Sequence, residues 1–305
     1  MRHPQSVAIV GVSGFVGHGL PGLLASNGVS VTGVSRSRPS AIPGIDHWQT
    51  PATVNLAGYH AVINLAGESV AQRWTPAARR RMLESRVSLT NSLVAAIGRL
   101  SADERPKVLV NASAVGYYGN GGEADLIESS RPGNGYLAEL CGAWEAAAAQ
   151  AETHGVRVIR LRLGIVLGRG GLAYERLRRV FRMGLGGRLG SGLQWMAWIH
   201  LADLHAAIVH AVFSESLRGA VNATAPQPER NATFTRLLAA ALHRPALLPV
   251  PGFALKLALG GFGGALLDSQ RALPQALISD GFRFKYPELG VALQNLESTS
   301  GTSGG

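Results

Sequence analysis

Three glycines spaced Gly11-x-x-Gly14-x-x-Gly17 directly follow an apolar run in residues 7–17 (VAIVGVSGFVG). The run has strand character, and the segment after Gly17 can form a helix once past Pro21, so the glycines fall at a strand-to-helix turn. At such a turn, glycine permits backbone angles closed to other residues. It also lets the pyrophosphate of a dinucleotide approach the main chain, where helix N-terminal amides and the helix dipole favour negative charge. A glycine-rich βα turn without a ligand would use the same residues, so both readings stand for the triplet alone.

The next element separates them. Residues 29–34 (VSVTGV) read as a second strand, ending at Ser35, Arg36, Ser37 and Arg38. The ribose-reading residue of a dinucleotide fold belongs about twenty residues beyond the glycine turn. An acidic side chain there would accept hydrogen bonds from a free 2′-hydroxyl, and none is present. Two arginines and two serines offer donors and positive charge suited to a 2′-phosphate. The expectation is NADP(H) rather than NAD(H); the alternative leaves Arg36 and Arg38 solvated in a basic loop.

A chain of 305 residues with 46% hydrophobic residues can bury a substantial core as one large α/β domain, or as a larger and a smaller one. The single cysteine, Cys141, excludes an internal disulfide and fits a reducing compartment. Residues 1–6 lack the apolar region of a secretory signal, and the longest apolar stretch, residues 253–267, contains a lysine and four glycines. The reading is a cytoplasmic protein with no membrane partner. The net charge of +10 invites a nucleic-acid reading. However, the arginines are dispersed, the short basic runs at residues 79–81 and 176–182 hold no aromatic except Phe181, and no zinc spacing occurs, so no nucleic-acid partner is expected. The nine histidines form no i, i+4 pair on a predicted helix and there is no Cys-x-x-Cys, which excludes the common metal motifs. No G-x-S-x-G follows a strand, which disfavours a hydrolase triad.

These residues need elements to hold them. Residues 61–65 (AVINL), 107–113 (KVLVNAS), 156–161 (VRVIRL) and 221–223 read as further strands, and residues 76–100 and 139–153 as helices. The βαβ rhythm predicts an α/β fold: a doubly wound parallel sheet of Rossmann type, with a smaller, mostly helical C-terminal lobe. The expected division is a dinucleotide-binding domain over residues 1–230, with residues 168–200 on the substrate side. A helical substrate-side lobe follows over 231–297, and a disordered tail over 298–305.

The opening VGVSGFVG, INLAG, NASAVGYYG and WIHLADL together resemble the extended short-chain dehydrogenase/reductases, the epimerase/dehydratase superfamily. RLGIVLGRGG, GLGGRLGSGLQWMAWIHLADL, VNATAP, LLPVP, ALLDSQRALP and GFRFKYPEL are similar to the atypical epimerase-like oxidoreductases that carry a C-terminal domain of unknown function. The resemblance implies that Gly11, Gly14, Phe15 and Val16 wrap the pyrophosphate and that Ser35 and Arg36 take the 2′-phosphate. It implies that Leu65, Ala66 and Gly67 lie along the dinucleotide with Glu68 near it, that Arg86 helps hold the cofactor, and that Ile165 and Val166 pack near the nicotinamide. It also implies a homodimer, paired through the long helices flanking the active-site segment.

The catalytic set departs from that superfamily's pattern. There, a tyrosine works with a lysine four residues later, because a phenol titrating near pH ~10 needs a nearby cation to act near neutrality. Tyr136 is the candidate here, but Leu140 and Cys141 stand where the lysine would be, and no lysine occurs between Lys107 and Lys256. Ser113 ends its strand as required, yet ungapped counting from Tyr118-Gly119 puts Ala114 at the serine position. Tyr117 and Tyr118 are further candidates, with aromatic packing as their alternative role.

On the substrate side, the glycine-rich residues 184–192 suggest a lid. Gln194, Trp195, Trp198 and His200 suggest a small-molecule pocket, with Arg188 meeting an anionic group. His200 and Asp203 equally suit the start of a helix. Three functions remain open on the sequence: an NADP(H)-dependent oxidoreductase acting on a small carbonyl or hydroxyl compound, an NADP(H)-binding sensor or scaffold that has lost turnover, and a nucleic-acid binder.

Overall fold

The computed structural model describes residues 5–36 and 42–298. Seven strands build one sheet: β1 (Ser6–Val10), β2 (Ser30–Val34), β3 (His47–Gln49), β4 (Ala61–Asn64), β5 (Val108–Ala114), β6 (Arg157–Leu163) and β7 (Gly219–Ala223). Their order is β7-β6-β5-β4-β1-β2-β3, with every pair parallel. The order reverses between β1 and β4, and in such sheets ligands bind outside the carboxyl ends of the strands at that reversal. The glycine turn leaves β1 there. β3 is absent from the sequence reading because three mostly polar residues at a sheet edge carry no usable periodicity.

Alternation along the strands assigns two cores. Val7, Ile9, Ile63, Val110 and Ile159 face α1 (Leu20–Ala25) and Leu204, Ala207 and Ile208 of a helix that follows His200. Ala8, Val10, Val62, Leu109 and Val158 face the opposite layer. That layer holds α2 (Pro76–Leu83), α3 (Leu89–Gly98) and α4 (Tyr136–Ala149). The single helix expected over residues 76–100 is interrupted by a wide π-type turn, Glu84–Ser88, between α2 and α3. The helix expected over 139–153 starts three residues earlier and closes in a 3₁₀ turn, Gln150–His154.

The remaining helices are α5 (Leu172–Arg182), α6 (Leu201–Phe213), α7 (Asn231–Ala241), α8 (Gly252–Leu259), α9 (Gly261–Ala265), α10 (Gln275–Ser279) and α11 (Leu289–Ser298). Tyr174, Phe181, Phe234, Leu238, Leu289 and Leu293 form a third core from α5, α7 and α11. The C-terminal segment also runs back over the sheet domain. Leu277 of α10 joins the sheet core, and Arg271–Ala272 pairs with Asp125–Leu126. The Asp203 carboxylate accepts the Lys285 and Tyr286 amides at 2.8 and 2.9 Å, tying this return to the first turn of α6. The last helix extends through Ser298, and residues 299–305 of the expected tail lie outside the described residues, as do Ser37 and Arg38.

Candidate active site

The carboxyl ends of β1 and β4 approach so closely that only glycine fits between them. Gly11 has φ +81°, and a Cβ there would stand 2.8 Å from the Ala66 amide nitrogen. At Gly17 a Cβ would come within 2.5 Å of the Gly11 carbonyl oxygen, so the two glycines close the turn on itself. The Gly14 amide donates to the Gly11 carbonyl at 3.0 Å, and the His18 amide to that of Gly14 at 2.9 Å.

A cleft lies on each side of this turn. One, of about 580 Å³, is lined by Gly11, Ser13, Ser35, Arg36, residues 65–68 and Ser85. At its rim Ser35 follows β2, its Oγ 3.4 Å from the Ser13 Oγ, with Arg36 exposed beside it. Residues 35–45, which follow that strand, contain no aspartate or glutamate. Glu68, the carboxylate lining this cleft, is engaged elsewhere. Hydrogen bonds from Gln72 (3.0 Å) and Arg81 (2.9 and 3.2 Å) hold its carboxyl below the usual range.

The π-type turn fixes the backbone of this cleft. Wide turns of this kind recur at functional sites. Here Ser85 accepts the Glu68 amide at 2.9 Å, and Arg86 donates to the Glu68 carbonyl at 2.8 Å. The guanidinium lies so close over Gly67 that a Cβ there would reach its Cζ at 2.8 Å, and it stands 5.1 Å from the Trp144 ring centre. Ser85 went unnoticed in sequence, although it neighbours Arg86 in the ESRVSLT segment.

The second cleft, of about 740 Å³, is lined by Gly14, Phe15, Val166, Arg169, Gly171 and His205, among others. The Phe15 ring packs on Gly168 and Gly171, where a Cβ would meet it at 2.9 and 2.6 Å. His205 Nε2 lies 2.8 Å from the Val16 carbonyl and clamps the turn to α6. Ile165 and Val166 form the short strand Ile165–Leu167, parallel to Trp198–His200.

The proposed catalytic side chains do not meet over these clefts. Tyr136 begins α4, but its hydroxyl donates to the Arg79 carbonyl at 3.2 Å. Its ring packs against Trp74 at 5.0 Å and the Arg79 guanidinium at 4.6 Å, and burial pushes its pKa up. Leu140, one turn on, is buried in the same apolar cluster with Met82. Ser113 and Tyr118 are buried beneath the turn that follows β5. Ser113 donates to Glu145 Oε1 at 2.7 Å, while Arg162 grips both oxygens of that carboxylate, at 2.7 and 2.9 Å. The third arm of Arg162 donates to the Tyr118 hydroxyl at 2.8 Å, and that hydroxyl also lies 2.7 Å from Asn222 Oδ1 and 3.0 Å from the Ile127 carbonyl. Burial raises the Tyr118 pKa as well. Tyr117 stacks over the same guanidinium, 3.5 Å from its ring centre. The Cys141 thiol is pushed up to about 11 by burial, with Glu145 nearby adding to the effect. The sequence reading missed Glu145 and Arg162. A glutamate amid the apolar residues of an alanine-rich helix and an arginine inside a strand are the available signals.

The expected substrate pocket also divides. Trp198 is fully buried in the core formed by α5, α7 and α11 and donates from Nε1 to the Gln227 carbonyl at 2.9 Å. His200 caps α6, its Nδ1 accepting the Ala202 amide at 3.1 Å, with its ring 4.0 Å from that of Tyr286. Burial lowers its pKa to about 4. Gln194 is buried and donates to the Leu189 carbonyl at 3.1 Å. Trp195 is half-buried, between the guanidinium groups of Arg230 (4.5 Å) and Arg271 (4.7 Å), and donates to Glu123 at 3.0 Å. The glycine-rich residues 184–192 are pinned to the segment before α8: Leu248 donates to the Gly186 carbonyl at 3.2 Å and Gly190 to that of Val250 at 2.9 Å. They form a structural seam, and Arg188 donates to the Ser191 carbonyl at 2.6 Å within it. Among the described residues, no group of three or more His, Cys, Asp or Glu side chains is placed to hold a metal.

The sequence model of the NAD-dependent epimerase/dehydratase family matches residues 7–222, which hold the glycine turn and all of the seven-stranded sheet except its end residues Ser6 and Ala223. The chain belongs to this family. A domain of unknown function, DUF1731, matches residues 250–296. Among curated family members, the chain is 40% identical over 293 residues to an epimerase family protein of Mycobacterium tuberculosis, covering 94% of this chain and 96% of the relative. It is 38% identical over 299 residues to the chloroplastic SDR39U1 homologue of Arabidopsis thaliana, covering 95% and 86%. The crystal structure of human epimerase family protein SDR39U1 (isoform 2) with NADPH superposes with a TM-score of 0.88 at 34% identity, over 96% of this chain and 99% of the human one. The sheet reversal and glycine turn of this chain are thus those of the family's NAD(P)-binding fold.

Proposed function

We propose that this protein is an NADP(H)-dependent oxidoreductase of the epimerase/dehydratase type, acting on a small carbonyl or hydroxyl compound. The observation that carries the cofactor choice is the end of β2. Ser35 and Arg36 open onto the cleft beside the glycine turn, and residues 35–45 supply no aspartate or glutamate to bind a free 2′-hydroxyl. The NADPH in the human relative supports the same choice.

The residues present fit such a cofactor. The turn of Gly11, Gly14, Phe15 and Val16 would hold the pyrophosphate, and Ser35 and Arg36 the 2′-phosphate. The backbone of Leu65, Ala66, Gly67 and Glu68, braced by Ser85 and Arg86, would lie along the dinucleotide, and Ile165 and Val166 at its nicotinamide end. When bound, NADP(H) supplies or accepts a hydride, which depends chiefly on proximity and orientation. This chain contributes binding and orientation. Ser113, Glu145, Arg162 and Tyr118 form a rigid buried floor beneath the turn after β5, and the Tyr136 hydroxyl is committed to Arg79. A cytoplasmic setting belongs to the same proposal.

A second reading, an NADP(H)-binding sensor without turnover, is favoured by one observation: the position a helical turn after Tyr136 holds buried Leu140 instead of a cation. Fluorescence titration with NADPH and NADH, on the wild type and Arg36→Ala, tests the shared premise. The expected result is tighter binding of NADPH. In Arg36→Ala, NADPH affinity falls about tenfold or more while NADH affinity holds, because a charge-assisted phosphate contact contributes roughly 1.5–3 kcal/mol. Equal affinities in the wild type overturn the proposal. A screen of carbonyl and enone compounds for NADPH oxidation then separates the readings, with turnover supporting the enzyme and tight binding without turnover the sensor.

A further inference from the structure

Away from the clefts, one face of the C-terminal region holds large apolar side chains in solvent. α8 buries Leu255, while Phe253 and Leu257, one turn apart on its other side, are 75% and 76% exposed. Leu247, just before this helix, is 80% exposed, and Leu248 beside it is also exposed. Exposed Met183 and Leu185, after α5, adjoin this segment. The Leu248 amide donates to the Gly186 carbonyl, and Gly187 packs directly against the Leu248 carbonyl. Clustered apolar exposure of this kind marks an interaction site.

The same region is basic. Arg176, Arg179 and Arg182 of α5 are exposed, as are Arg244, whose Nε donates to the Arg182 carbonyl at 3.3 Å, and Lys256, which lies between Phe253 and Leu257. Residues 176–199 and 231–267 contain no aspartate or glutamate. Of the carboxylates near the face, Glu297 is largely buried and held by Arg178 at 3.0 Å and Arg182 at 3.5 Å, Glu175 lies 3.7 Å from Arg178, and half-buried Asp268 is near enough to Lys256 to feel its charge.

Charge selects the occupant. A second copy docked through this face in two-fold symmetry would set the same arginines against each other, which is repulsive. An anionic bilayer answers both features: its acyl boundary accepts Phe253 and Leu257, and its phosphates accept guanidinium groups and Lys256. We infer that this face lies on the surface of an anionic phospholipid bilayer, with α8 in the interfacial plane. No helix among the described residues is long and apolar enough to cross a membrane, and surface association needs none. The sequence expectation of no membrane partner rested on the lack of a spanning segment and did not address a surface contact.

Sedimentation with vesicles of phosphatidylcholine, with and without phosphatidylglycerol, tests the inference on the full chain. The protein should pellet with the anionic vesicles, less so as salt rises, and stay in solution with neutral ones. Phe253→Ser/Leu257→Ser should weaken partitioning by about tenfold or more. Arg179→Glu and Lys256→Glu should each weaken it by about fivefold or more. All four positions are exposed, so circular-dichroism melts should match the wild type and exclude misfolding. Failure to pellet with anionic vesicles, equal pelleting with neutral ones, or unchanged partitioning of the folded variants overturns the inference. So does a wild-type dimer in light scattering that Phe253→Ser/Leu257→Ser converts to monomer, which would make the face a contact between copies.

Discussion

Replacing Glu145 by leucine should destabilise this protein more than its place in an alanine-rich helix suggests. The carboxylate accepts three hydrogen bonds, from Ser113 Oγ at 2.7 Å and from Arg162 at 2.7 and 2.9 Å, while the two ionic side chains are only 5% and 3% exposed. Without it, the guanidinium retains the Tyr118 hydroxyl and the Glu128 carbonyl as acceptors and has no path to water. Breaking a buried pair from one side costs about 3–5 kcal/mol, because a charge is left uncompensated. The orphaned Ser113 hydroxyl adds about 1 kcal/mol. The double variant Glu145→Leu/Arg162→Met removes both charges and should recover most of the loss. Equilibrium urea unfolding of the wild type and the three variants, Arg162→Met included, gives the comparison. If Glu145→Leu lies within about 1 kcal/mol of the wild type, or the double variant is less stable than either single one, the argument from buried charge is refuted.

Two other positions give predictions of different kinds. Gly11→Ala forces a side chain into a left-handed conformation and against Ala66, and should cost about 2–5 kcal/mol; Gly22→Ala, with open space around its Cβ, should leave denaturant unfolding near or slightly above the wild type. His200, lowered by burial to about 4, takes up its proton in the unfolded chain near pH ~6.5 but in the folded one only near 4. Its contribution is therefore complete above about pH 6.5 and is lost as the pH falls toward 4, on the order of 3 kcal/mol. His200→Asn keeps a capping side chain, and its stability-against-pH curve should be flatter across that window; an unchanged slope refutes the assignment.

Much of the fold was legible because it is written in short-range pattern. Apolar runs of four to seven residues gave β1, β2, β4, β5 and β6, and Thr75-Pro76 marks the start of α2, with the Thr75 hydroxyl accepting the Ala78 amide at 3.2 Å. Where long-range contacts set the outcome, the reading missed. β3 exists because β2 offers an edge. The π-type turn exists where Ser85 and Arg86 both bind the Glu68 backbone. Trp198 and His200 have the residue types of a pocket but serve as core and cap, since a bulky ring is worth more buried and an imidazole nitrogen can satisfy a helix amide.

The sequence alone determined the dinucleotide turn, the absence of an acid after β2, and the absence of lysine one turn after Tyr136, because each depends on residue identity at a fixed spacing along the chain. Tertiary structure decided where the hydroxyls of Tyr136, Ser113 and Tyr118 point. A side chain's hydrogen-bond partner is set by whatever the fold brings within about 3 Å, and here that was Arg79, Glu145 and Arg162, residues 57, 32 and 44 positions away in the chain.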